Sequence, residues 1–182
     1  MDIKKIFIDL GTHKCEGLTH FKSLLNIDKT WEVHAFEPNP LLDGKCLDNL
    51  DLKVTLHRVG AWIETGIFEF KMFGLDGLSQ GGYIAPIGNP GYSDYHSNTT
   101  VSCINIIEFL EQFKDSELYI KMDIEWAEYG IIEAMLNLGW NQNIKQIWIE
   151  WHGQHIDEYI NKATELKAQI RSVSSTEVFD WI

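Results

Sequence analysis

Ile6-Phe-Ile-Asp-Leu-Gly-Thr-His-Lys-Cys-Glu-Gly17 is the stretch whose reading decides the fold. An apolar run enters Asp9, reaches Gly11 and closes at Gly17. From Leu18 the apolar residues recur at Leu18, Phe21 and Leu25, the spacing of one helix face. That pattern reads as a buried strand, a glycine-marked turn and a helix N-terminus. Without a Cβ at the glycines, a ligand can lie directly against backbone. Twenty residues past Gly17, the strand-like Trp31-Glu-Val-His-Ala-Phe36 ends on Glu37, where a carboxylate is placed to accept two ribose hydroxyls.

Working outward, strand-like and helix-like runs alternate. Strands are expected at about Lys5–Asp9, Glu32–Phe36, Lys53–His57, Leu118–Met122, Lys145–Trp151 and Thr176–Ile182. Helices are expected at Leu18–Leu25, near Leu41–Leu47, from Asn105, after Asp123 and over Ile156–Ile170. Val59–Trp62 and Gly66–Met72 read as two short strands about a turn. The alternation predicts an α/β fold: a doubly wound, Rossmann-like parallel sheet with helices on both faces. The 182 residues suit one domain, 1–182, with a core of its own. Residues 74–100 are glycine-rich and hold Tyr83, Tyr92, Tyr95 and His96; a substrate-covering loop is expected there.

Composition removes several classes. A net charge of −12 argues against a nucleic-acid backbone as partner. No apolar run is long enough for a membrane span and no leader is visible, so a cytoplasmic protein is expected. Cys15, Cys46 and Cys103 are scattered and odd in number, which reads as a reducing compartment without a zinc site.

Polar residues gather at the carboxyl ends of the expected strands: Asp9, Glu37, Asp123, Glu125, Glu150 and His152. In an open α/β sheet the ligand crevice lies at that edge. A pyrophosphate wants closely spaced glycines and basic help, whereas only Lys14 is basic between Gly11 and Gly17. S-adenosylmethionine carries a sulfonium and an ammonium, and carboxylates such as Asp9 and Asp123 suit both charges. Two ways to take a proton from an acceptor hydroxyl are open. His152 is a candidate general base. Alternatively Asp123 and Glu150, helped by Glu125, hold magnesium or manganese. Trp126, Trp151 and the loop tyrosines are expected as ligand-facing rings, and Trp31, Trp140 and Trp148 as packing residues.

Phe7-Ile-Asp-Leu-Gly11, Ala35-Phe-Glu-Pro-Asn39, Val59-Gly-Ala61, Lys121-Met-Asp-Ile-Glu-Trp-Ala-Glu128 and Ile149-Glu-Trp-His152 resemble, in order, the motifs of FkbM-type methyltransferases. The resemblance implies a class I enzyme that methylates hydroxyls of sugars and related metabolites, and a sheet ordered 3-2-1-4-5-7-6; only one strand follows the last helix where that order needs two, so a sheet trimmed at its C-terminal edge is expected. By that resemblance Asp9, Gly11, Thr12 and Gly17 contact the methionine part, and His13, in a bulge of residues 13–16 that the family's shorter turn lacks, is a further cofactor-binding candidate. Glu37, with Pro38 and Asn39 beside it, holds the ribose. Gly60 and Ala61 lie near the adenine. Asp123 is expected both at the cofactor and, with Glu125 and His152, in catalysis. Trp126 departs from the pattern, which commonly has a small residue there. Two other readings stay open: a catalytically silent cofactor-binding or assembly domain, and an NAD-linked oxidoreductase.

Overall fold

The computed structural model describes residues 3–72, 81–84 and 97–181. In chain order the elements are β1 (Lys5–Leu10), α1 (Glu16–Leu24), β2 (Glu32–Phe36), β3 (Val54–His57), β4 (Gly60–Trp62), β5 (Gly66–Met72), β6 (Tyr83–Ile84), β7 (Ser97–Asn105), α2 (Ile106–Leu110), β8 (Glu117–Met122), α3 (Ala127–Leu138), β9 (Ile144–Ile149), α4 (Asp157–Val173) and β10 (Glu177–Asp180). The helix expected near Leu41–Leu47 is a 3-10 turn at Lys45–Asn49.

Six strands form a parallel sheet in the order β3-β2-β1-β8-β9-β10. β1 is central and covered on both faces, which is why it reads as a near-continuous apolar run. Ile6, Ile8 and Leu10 pack with Ile120, Met122 and Ile147 beneath Ile131, Ile132 and Met135 of α3 and Leu166 and Ile170 of α4. Phe7 and Val33 point the other way, under Leu18 and Phe21 of α1. α2 starts at the expected cap: Asn105 Oδ1 accepts the N–H groups of Ile107 and Glu108.

The α/β fold is as read from the sequence, and the sheet stops one strand short of the family order at the C-terminal edge, as the single strand after the last helix implied. The strand after α4, β10, pairs directly and in parallel with β9, with no strand between them. The short strands β4 and β5 do not extend the parallel sheet. They join β6 and β7 in a second sheet of order β4-β7-β5-β6. β5 pairs antiparallel with both β6 and β7. Part of the expected covering loop is therefore strand: Tyr83 and Ile84, and the chain from Ser97 onward. Residues 74–80 and 85–96, with Tyr92, Tyr95 and His96, lie outside the described residues.

The cysteine reading is overturned as well. Cys15 and Cys46 form a disulfide, while Cys103 is free and buried. The bond spans 31 residues of sequence. β1 and β2 are parallel neighbours, so the loops that leave their carboxyl ends run side by side and bring the two thiols together. Disulfides persist in oxidising surroundings, so the reducing compartment loses its support. Among the described residues no helix is long and apolar enough to cross a membrane.

Candidate active site

A cavity of about 350 Å³ opens at the carboxyl ends of β1, β2, β8 and β9, within the size range of small-ligand pockets. Its floor depends on Gly11. This residue has φ +81°, and a Cβ there would lie 1.8 Å from the Asp123 carbonyl oxygen. Only glycine lets β1 turn so close under β8. The Gly11 and Thr12 N–H groups both donate to the Phe36 carbonyl, at 3.1 and 3.0 Å, which ties the turn to the end of β2.

Glu37 follows directly on β2 and is 8% exposed. Its two oxygens accept the backbone N–H groups of Asn39 and His13, each at 2.8 Å. Burial raises its pKa above the ordinary glutamate value, and those two backbone donors work against the rise. A carboxylate has about four lone-pair sites, so Glu37 retains capacity toward a ligand in the cavity it lines.

The opposite end is held by charge pairs. Lys121 of β8 is 2% exposed, with its ammonium 3.3 Å from Asp9 and 3.1 Å from Asp123. It also donates to the Gly11 carbonyl at 2.6 Å. Burial works against its charge; Asp9 and Asp123 more than offset that and hold its pKa above the ordinary lysine value. On β9's exit, His152 is gripped by a fully buried glutamate. Glu128 Oε1 accepts its backbone N–H at 2.9 Å and faces Nδ1 at 3.0 Å. Nε2 lies 3.1 Å from Glu125 and 3.8 Å from Glu150. Burial works against the imidazolium, but Glu125 and Glu128 overcome it and push the His152 pKa up to about 11. For Glu150, burial and the Asp123 charge raise the pKa to about 7, with His152 pulling it back.

Most of the expected site converges. Gly11, Thr12, His13, Gly17, Glu37, Pro38, Asn39, Gly60, Ala61, Asp123, Glu125 and Glu150 all line the one cavity. Two expected residues do not. Asp9 is fully buried beneath the floor, where it accepts the Thr12 hydroxyl at 2.6 Å and pairs with Lys121. His152 sits one layer behind Glu125 and Glu150. Trp126 and Trp151 are also corrected: they are 4% and 2% exposed and belong to the core behind His152, with Trp126 edge-on to Tyr159. Glu125 and Trp126 are both left-handed, at φ 51° and 76°, a conformation that costs non-glycine residues about 1–3 kcal/mol each. The departure at Trp126 thus falls where the backbone takes a conformation costly for any residue with a Cβ.

Sequence reasoning gave no role to Lys121 and Glu128, although both stand in the quoted motif, and it missed Phe70 and Trp181. Lys121 had a signal: a lysine inside an apolar strand needs a buried counter-charge. Trp181, just past β10, lines the cavity by the same strand-end logic as Glu150. Phe70, Tyr83 and Ile84 form a wall contributed by the second sheet. Glu128, in the first turn of α3, had a signal only as the last residue of the Lys121–Glu128 block that carries the family resemblance; its periodicity alone reads as a solvated helix residue.

The arrangement suits a cationic nucleoside better than a pyrophosphate. Glu16, Glu37, Asp123, Glu125 and Glu150 line the cavity, the Gly11 and Thr12 N–H groups are already used, and Lys121 is already paired. Residues 9–173 match the family model described as the methyltransferase FkbM domain. No curated protein and no solved structure matches the chain.

Proposed function

The chain belongs to the FkbM methyltransferase family, and from that premise we propose that it moves a methyl group from S-adenosylmethionine to a hydroxyl oxygen of a sugar, glycan or small polar metabolite. The observation that carries this reading is the continuity of one cavity from Glu37 to Glu150. The first carboxylate is kept as an acceptor by backbone donors. The second has a pKa of about 7, suited to receive a proton.

S-adenosylmethionine, when bound, supplies an electrophilic methyl on its sulfonium. The chain's residues do the rest. Glu37 accepts the ribose hydroxyls, and Phe36, Leu42, Gly60 and Ala61 offer an apolar flank for the base. The Gly11–Gly17 turn and Asp123 face the amino-acid part. Phe70, Tyr83 and Trp181 give the acceptor flat apolar faces beside the carboxylates. Holding the acceptor oxygen in line with the methyl contributes rate by removing orientational freedom.

Glu150 takes the hydroxyl proton in this reading, and the base role expected of His152 is withdrawn. A ring with a pKa near 11 is an imidazolium at neutral pH and has no lone pair to offer. Its part is to fix Glu125 and to stabilise ionised Glu150. The expected divalent ion on Asp123 and Glu150 meets the same pairing. Asp123, Glu125 and His152 do bring donor atoms within 4.8 Å of one another. However, Lys121 already neutralises Asp123, and a metal on His152 must first displace its proton. We therefore assign the counter-charge to the chain's own cations.

The test is calorimetry with S-adenosylmethionine and with NAD, followed by mass spectrometry of candidate glycans incubated with the cofactor, with and without a chelator. Expected are S-adenosylmethionine binding, a methyl mass increment on a hydroxyl acceptor, and no effect of the chelator. Preferential binding of NAD overturns the cofactor assignment. Turnover lost to the chelator and restored by manganese returns the metal to Asp123 and Glu150.

A further inference from the structure

The Cys15–Cys46 disulfide joins the two walls of the cofactor end of the cavity. Cys15 closes the turn that begins at Gly11 and is the residue just before α1, in a left-handed conformation at φ 67°. Its own N–H donates to the Thr12 carbonyl at 2.7 Å, and its carbonyl accepts from Thr19 at 2.9 Å. It therefore sets both the end of the turn and the start of the helix. Cys46 stands on the 3-10 turn that follows the Glu37–Leu42 segment. That segment is anchored from outside by Arg58, which donates to the Leu42 carbonyl at 2.7 Å and the Asp43 carbonyl at 2.6 Å. Around the disulfide the described ties between the two segments are noncovalent: hydrogen bonds from Gly11 and Thr12 to Phe36, from His13 to Glu37 and from Lys22 to the Leu50 carbonyl, and the packing of Leu18 and Phe21 with Leu47 and Leu50. The disulfide is the covalent link at the far end of the same turn.

We infer that this disulfide is a redox control on cofactor binding: oxidised, it holds the Gly11–Gly17 turn against the Glu37 wall; reduced, it releases the turn and weakens the cofactor site. This rests on the cofactor reading above. Cys15 is 1% exposed and Cys46 is half-buried, so a reductant meets Cys46 as the more accessible of the two residues. A dithiol reductant attacks Cys46 Sγ through its thiolate. The S–S bond breaks with its electron pair leaving on Cys15 Sγ, and the reductant's second thiol then releases Cys46. Two electrons and two protons end on the two cysteines, and the reductant leaves as a cyclic disulfide. Release costs affinity because a turn that is mobile before binding must be ordered by the ligand.

The experiment is calorimetry with S-adenosylmethionine on oxidised protein, dithiothreitol-reduced protein, reoxidised protein and Cys46→Ser, with amide hydrogen exchange on the cofactor-free oxidised and reduced forms. Reduction is expected to weaken binding roughly tenfold, reversibly, and Cys46→Ser should bind like the reduced form and ignore the reductant. Exchange should quicken at residues 12–16 while β1 and β8 stay protected. Equal affinity of the two redox forms overturns the inference and leaves the cofactor reading standing. A bond that serves stability alone gives that result together with a lowered Tm. Absence of binding in both forms, with exchange at residues 12–16 still responding, overturns the inference together with the cofactor reading.

Discussion

Glu37 and Glu150 stand at the carboxyl ends of two strands of one sheet, line one cavity and are both pushed upward by burial, yet the structure equips them for opposite tasks. Glu37 is answered first by two backbone N–H groups that it cannot lose, one on each oxygen, so both oxygens are held as acceptors. Glu150 is answered by charges, with Asp123 raising it and His152 lowering it, so its proton is in play near neutral pH. Residue type and position along the strand are the same. What separates the roles is whether the neighbour is a fixed dipole or a titratable group.

The largest way to break this contrast is to remove the cation under the catalytic end. Lys121→Met leaves Asp9 and Asp123 without their partner, one of them fully buried. Breaking a buried pair from one side costs about 3–5 kcal/mol. Urea unfolding should show a loss of that size, and an unaltered midpoint would mean that the pair contributes nothing. Next in size, Glu150→Gln should lower turnover about 10²–10⁴-fold while leaving S-adenosylmethionine affinity unchanged, as measured by single-turnover kinetics beside calorimetry. Undiminished turnover would move the base elsewhere. Glu37→Ala should do the reverse, weakening the cofactor about ten- to a hundredfold by removing a charged hydrogen-bond acceptor, with a much smaller effect on the rate at saturation.

Half of this contrast could be read without coordinates. Buried parallel strands are almost continuous apolar runs, so β1, β8 and β9 announce themselves, and with them the polar residues at their ends. The spacing from Gly17 to Glu37 follows from one helix and one strand. The other half depends on partners brought together only by folding. Lys121 meets Asp9 through a lateral register between strands more than a hundred residues apart, and no local pattern marks that pairing. Cys15 and Cys46 meet because neighbouring loops run side by side. The second sheet needs β4 to find β7 across β5, β6 and the segments that join them. Trp126 and Trp151 looked like pocket faces because aromatic residues beside carboxylates suit a ligand. The register puts their rings on the α4 side of the layer instead.

The smallest effect is the most discriminating, because it sets rate against stability in one pH scan. Glu150 moves from an ordinary 4.5 to about 7, so the native state holds a proton there that the unfolded chain has released. Its contribution to stability is fully present below 4.5 and is lost as pH rises toward 7. His152 moves from 6.5 to about 11, so its contribution is present below 6.5 and is lost as pH rises toward 11. Stability should therefore fall across the neutral range while turnover climbs, since Glu150 becomes competent only as its proton leaves. His152→Gln separates the two groups: without the imidazolium beside it, ionised Glu150 loses a stabilising charge and the rising limb of the rate profile must move to higher pH. A limb that stays in place would show that Glu150 does not respond to His152, and the assignment of the proton to that carboxylate would fail with it.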